Sequence, residues 1–310
     1  MIPGGTNTFT GQTKLNGGVT TITADANLGA IGTGAGVNLN NATLRANATF
    51  ALNHSARWTN PCIIDLNGVG GTLDITGSNI LTVRGPLSGP CRLIKIGSGT
   101  VLFCTGGNPY TGPAALNEGV VRSGTITALS FFSDWTLANI TGTALDPGGF
   151  NQTPGSLAGG GTTGSKVTSS VAGAVALKTG LNFSSSSSYA GIIRNGSGTV
   201  GQTRMGYGTF TLTGANTYTG ATTPNAGFLP VNGSPANGIV TVNSTGPLGG
   251  GHLIAMVTAN PGGMVSPGAS LATPNTGPMD LSRGGQLKIE FDGSGSRATD
   301  ILTIGGNFTL

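Results

Sequence analysis

The chain has 310 residues, of which 57 are glycine and only 8% are charged, and its net charge is +4. Charge this sparse, with no run of Lys or Arg, excludes a nucleic-acid or membrane-surface patch, and no apolar run approaches a membrane span. Disorder is excluded too: Thr, Val, Ile and Leu alternate throughout, whereas disordered chains are poor in β-branched residues and rich in charge.

In chain order, residues 1–35 hold Asn7-Thr-Phe-Thr-Gly11, a partial repeat over 5–22 and a glycine-rich corner. Val37-Asn-Leu39, Thr43-Leu-Arg45 and Phe50-Ala-Leu52 read as short strands. Apolar alternation is densest over 61–105, as in Thr72-Leu-Asp-Ile75, Ile80-Leu-Thr-Val83 and Leu93-Ile-Lys-Ile96. A second repeat covers 97–123. Phe131, Phe132 and Trp135 form the main aromatic cluster, readable as a wider core layer, a cap or a binding patch. Residues 151–190, with Gly159-Gly-Gly161 and Ser184 to Ser188, read as loops or a thin coil. A third repeat covers 206–231, and a terminal segment covers 262–310. No long window has helical periodicity; Ala24–Leu28 and Ala114–Glu118 offer a turn each.

The repeats share a motif. Asn7, Phe9 and Gly11 correspond to Asn108, Tyr110 and Gly112, and to Asn216, Tyr218 and Gly220. Gly18, Gly119 and Gly227 follow at matching places, and Lys95-Ile-Gly-Ser-Gly-Thr100 corresponds to Arg204-Met-Gly-Tyr-Gly-Thr209. Around the third copy, Phe210 and Leu212 alternate with Thr209, Thr211 and Thr213, the period-2 pattern of a half-buried strand. Three short strands separated by corner residues make one coil of a β-solenoid. Such a unit cannot bury its apolar face alone and is expected to repeat. Glycine supplies positive φ at corners, Asn bonds backbone or an Asn one rung away, and the motif aromatic fills the interior. The nine motif residues are therefore read as geometry, not as ligands. The expected fold is all-β, one continuous solenoid over 1–310 with about 13 short three-strand coils and a length of about 60–70 Å.

The pattern Gly-x-Gly-Thr-x-x-Leu-x-Gly-x-Asn-x-Tyr-x-Gly resembles the autotransporter-associated β-strand repeat of bacterial surface and secreted proteins. Gly149 to Gly161 resembles a linking segment between such repeats, and Ser266-Pro-Gly-Ala-Ser270 with Leu287 to Asp292 resembles the segment after the last one. The resemblance implies a right-handed parallel β-helix and an extracellular or cell-surface location, after removal of a signal absent from this sequence. Pro224, Pro230 and Pro247 depart from the pattern, because proline cannot donate to a ladder and is confined to edges, strand starts and bulges; they read either as corners or as anomalous residue identities.

Candidate chemistry is thin. Asp65 and Asp74 are the two carboxylates that can lie on neighbouring coils as a glycosidase pair; the remaining Asp residues are scattered, so no catalytic residue is assigned. His54 and His252 lack partners at metal-ligand spacing, and Asp292-Gly-Ser-Gly-Ser is a turn resembling half of a calcium loop. No metal or cofactor is expected. Cys62, Cys91 and Cys104 read either as three small buried residues or as one Cys91–Cys104 bridge and a free thiol. The chain enters mid-repeat and ends in a strand, so it reads as part of a longer secreted protein or as a unit completed by neighbours. Exposed edge strands at the ends favour self-association by end-to-end stacking. The expected function is a non-enzymatic structural or adhesive filament. The alternatives are the stalk of a larger surface protein and a carbohydrate-binding or carbohydrate-active β-helix. A polysaccharide or a host surface is the other expected partner.

Overall fold

The computed structural model describes residues 4–29, 36–53, 63–162, 164–182, 186–233, 238–250, 252–253, 255–267, 275–289 and 302–310. The strands in it pair in parallel and build a β-solenoid. Three faces recur in each coil. Face one starts with Thr13–Asn16, Gly36–Asn40, Ile63–Asn67 and Leu87–Ser88, and continues later through Ala174–Thr179, Thr199–Arg204, Thr222–Pro224 and Val240–Val242. Face two includes Leu93–Ile96, Ala114–Leu116, Asp134–Leu137, Ser156–Gly159, Ser187–Tyr189 and Phe210–Leu212. Face three includes Ile80–Val83, Thr100–Phe103, Val120–Ser123, Ala144–Asp146, Lys166–Val167 and Ile192–Ile193.

Alternation drives this arrangement. In Thr100–Phe103 and Val120–Ser123 every second side chain is buried, and Val101, Phe103 and Val121 point into the prism. Along the stack these side chains form one cluster running from Ile22 to Leu281. A single coil cannot enclose them; its neighbours above and below complete the burial. Two long strands, Gly36–Ala46 and Ile63–Ile75, each turn from face one onto face two. The register shifts between Asn40 and Ala42, and Asn41 takes φ 52 there, a bulge that bends the strand around the corner.

The solenoid has about 10 turns, slightly fewer than the 13 expected. Rungs are uneven: partners lie 24 residues apart at Thr13↔Val37 and 30 apart at Gly159↔Tyr189, but 17 apart at Val240↔Val257. The segment expected to be loop-rich, 151–190, carries four strands. One of them is the six-residue Ala174–Thr179, paired along its whole length with Thr199–Arg204. Ala24–Leu28 supplies one 3-10 turn, Asp25–Leu28, whereas Ala114–Leu116 is a strand.

The prolines are not on corners. Pro230 lies inside the ladder between two regular bonds, Phe228 N–H to Gly208 O and Asn232 N–H to Leu212 O. In that register the residue between them would donate to Phe210 O, and proline has no N–H. Pairing of Phe210–Leu212 with this rung therefore reduces to isolated bridges at Thr209↔Phe228 and Leu212↔Val231. Pro224 ends the strand Thr222–Pro224, just before the Asn225 corner, and that strand keeps one partner pair with Val240–Val242. Pro247 immediately precedes Leu248–Gly250, and its carbonyl accepts from Leu229 N–H.

Candidate functional site

The motif residues are best followed through their bonds. Asn108 is buried on face one. Its Oδ1 accepts from Leu87 N–H at 2.7 Å on the rung below, and its Nδ2 donates to Ala128 O at 2.6 Å on the rung above and to Thr105 O at 2.9 Å. Asn216, also buried, accepts from Ile193 N–H at 3.0 Å and donates to Gly214 O at 3.0 Å. Asn7 donates to Asn27 O at 2.8 Å. The neighbours of the second and third copies differ. Tyr110 N–H bonds Leu87 O on face one, whereas Thr217 N–H bonds Ile193 O on face three. The second copy is thus turned by one face relative to the third.

Tyr110 and Tyr218 are fully enclosed, as expected for the motif aromatic, but Phe9 is 46% exposed, its ring lying over Gly29. Burial pushes the Tyr110 phenol well above the usual tyrosine value and that of Tyr218 up to about 12. The Tyr218 hydroxyl lies 2.8 Å from Thr222 Oγ1. A Cβ on Gly112 would meet Cys91 O at 2.1 Å, and one on Gly220 would meet Val200 O at 2.4 Å, so only glycine lets these rungs stack; beside Gly11 the space is open.

Sequence reading missed the interior cations. Lys95 points inward beside Leu93, and its ammonium donates to Ile96 O and Gly97 O at 2.7 Å and to Glu118 O at 3.2 Å. Burial pulls its pKa down to about 8, against the opposing pull of Asp74 and Glu118. Arg204, at the matching place in the third copy, is also fully buried, and its Nε donates to Gly208 O at 3.3 Å. A basic residue just before Gly-x-Gly in both copies was the available signal. Gln152 was missed as well. Its Oε1 accepts from Leu129 N–H at 3.2 Å and its Nε2 donates to Thr125 O at 2.8 Å, stitching rungs as the asparagines do. At another corner Asn225, Asn243 and Asn260 form an external amide ladder, Asn260 donating to Asn243 at 2.7 Å and Asn243 to Asn225.

The carboxylates hold structure. Asp65 and Asp74 lie on one strand, Ile63–Ile75, on two different faces, and not on neighbouring coils. Asp65 accepts from Asn38, Asn67 and Ser88; Asp74 is buried against Arg45 Nε at 2.6 Å. Asp146 accepts from Arg122 at 2.6 Å and from the N–H groups of Gly148 and Ser170; these bonds outweigh burial and hold its carboxyl below the usual value. Among the described residues no group of His, Cys, Asp and Glu is arranged to hold a metal ion. Cys91 and Cys104 are both free and half-buried. Cys62, His54, Asp292 and Asp300 lie outside the described residues.

The aromatic cluster divides. Trp135 is buried in the core, while Phe131 and Phe132 project from the corner between faces one and two, 37% and 49% exposed, with ring centroids 4.0 Å apart. Asp134 beside them accepts from Asn182 Nδ2 at 2.6 Å.

Residues 93–122 and 203–229, which carry the second and third motif copies, match the passenger-associated-transport-repeat family. The chain carries passenger-associated transport repeats. It is 32% identical over 233 residues to the adhesin BmaC autotransporter of Brucella suis biovar 1 (strain 1330), a match covering 72% of this chain but 6% of that adhesin. No solved structure matches. The matched residues include Lys95, Asn108 and Asn216, each bonded to a neighbouring rung, and Arg204, bonded to the next corner of its own rung.

Proposed function

We propose that this chain is a non-enzymatic segment of a bacterial surface or extracellular solenoid, with a structural or adhesive role. The observation that carries the reading is the similarity over 72% of the chain to an adhesin autotransporter. The carboxylates support it: Asp65, Asp74 and Asp146 are all taken up in bonds that hold rungs together. On this reading the motif Asn and Tyr residues are geometry. The test compares cells carrying the native protein with cells lacking this segment. Reduced adherence to host cells or to polysaccharide, with the protein still protease-accessible at the surface, supports the proposal; unchanged adherence removes the adhesive part.

End-to-end stacking into a filament belongs to the same proposal, because a parallel ladder can be extended by another copy. Negative-stain images of the native material should contain fibres, and rods of a single length would remove this part. Two other readings have an observation each. The matched segment is only 6% of the adhesin, which favours a stalk within a much longer polypeptide; an immunoblot of the native protein measures that length. The exposed Phe131–Phe132 pair beside Asp134 favours a sugar-binding patch, since aromatic faces stack on apolar sugar faces. Polysaccharide-array binding that survives Phe131→Ala with Phe132→Ala rules that patch out.

A further inference from the structure

The outer surface of face one carries two adjacent rows of side chains, one residue per rung. The first row reads Lys178, Thr203, Thr223, Thr241, Thr258, Asp280. The second, two residues earlier on each rung, reads Ala176, Gly201, Ala221, Ile239, Met256, Pro278. These six rungs divide into unlike halves. Over the first three rungs the second row is small, and Ala176, Gly201 and Ala221 help to floor a shallow depression of about 250 Å³. Over the next two rungs Ile239 and Met256 stand out, 60% and 44% exposed. The row of threonines begins with a cation and ends with a carboxylate.

Consider a second copy laid face to face, related by a two-fold axis that lies in the interface parallel to the strands. Such an axis keeps each row opposite itself and reverses the order of rungs. Placed between the third and fourth rungs, it sets Thr223 opposite Thr241 and Thr203 opposite Thr258. Lys178 then meets Asp280 of the other copy, at both ends. In the second row Ile239 meets Ala221, and Met256 meets Gly201. The two projecting apolar side chains enter the depression, and the charges pair. Both shape and charge are self-complementary under one operation, which is the requirement of an isologous interface.

We propose that face one, from the rung of Lys178 to the rung of Asp280, is a docking surface for a second copy of this chain in antiparallel orientation. Asp280 already accepts from Ser282 through Oδ1, and Arg283 stands near it, so the contact with Lys178 is a shared, rim-type ion pair. Six rungs span about 24 Å, and the three outward positions of the strand Ala174–Thr179, which are Ala174, Ala176 and Lys178, span about 14 Å, which gives roughly 300–350 Å² a side. That is below the ~800 Å² a side of a standard interface, so the dimer is weak and forms at high local concentration. It is lateral, and so differs from end-to-end stacking.

The test is sedimentation velocity of the full chain from micromolar to millimolar concentration. A dimer should appear with rising concentration. Lys178→Glu should weaken it about tenfold, since two ion pairs become repulsive. The double reversal Lys178→Glu with Asp280→Lys should restore it. Ile239→Ser with Met256→Ser should abolish it. Circular dichroism and melting checked on every variant keep misfolding apart from loss of association. A monomer at all concentrations, a single reversal without effect, or a double reversal that fails to restore the dimer would each overturn the proposal.

Discussion

The second and third motif copies use the same residues in different surroundings. Asn108 reaches both the rung below and the rung above through Leu87 N–H and Ala128 O, and it also closes its own corner through Thr105 O. Asn216 reaches one neighbouring rung and its own corner. The copies also stand on different faces. The motif therefore specifies a kind of corner and not an address in the prism, and the number of rungs it sews together depends on what stacks beside it.

This difference should appear in stability. Asn108→Ala removes the partner of two buried backbone groups, Leu87 N–H and Ala128 O, and of the half-buried Thr105 O, and should cost about 3–4 kcal/mol in urea unfolding, against about 2 kcal/mol for Asn216→Ala. Equal losses would break the comparison. The glycines should sort in the same way. Gly112→Ala and Gly220→Ala force a Cβ into backbone carbonyls and should each cost about 2–3 kcal/mol, while Gly11→Ala, with open space beside it, should stay within about 0.5 kcal/mol. Tyr218→Phe removes one buried hydroxyl contact with Thr222 and should cost about 1 kcal/mol in the same assay.

A smaller effect separates the two interior cations. The folded-state pKa of Lys95, about 8, lies below its ordinary 10.5, so folding disfavours the bound proton. Stability should rise as pH passes from about 8 toward 10.5, and Lys95→Met should flatten that rise. Arg204 stays charged over this range, so Arg204→Met should leave the slope unchanged. Buried tyrosines act in the opposite direction above pH 10, where the unfolded state ionises first, so the window to measure is pH 8 to 10.

Much of the fold was legible because it is local. Alternation marked Ile80–Val83 and Leu93–Ile96 as strands, and glycine spacing marked the corners. The rotation of one copy relative to another was not legible, since it depends on the summed lengths of the intervening rungs, among them the 30-residue step from Gly159 to Tyr189. Asp65 and Asp74 were separated by the bend of a single 13-residue strand, which sequence spacing does not reveal. Pro230 looked like a corner because proline normally avoids ladders. The rod accommodates it by reducing one rung's pairing to isolated bridges. The rows on face one could not be read at all, because residues such as Lys178 and Asp280 are brought into one line only by the register.

The central claim is that the motif asparagines bind rung to rung. Amide hydrogen exchange tests it residue by residue. In the native chain the Leu87 and Ile193 N–H groups, whose acceptors are side-chain amides, should exchange as slowly as the ladder amides around them. Asn108→Ala should speed exchange at Leu87, and Asn216→Ala should speed it at Ile193, each leaving the other slow. Unchanged exchange at both sites in the two variants would contradict the account.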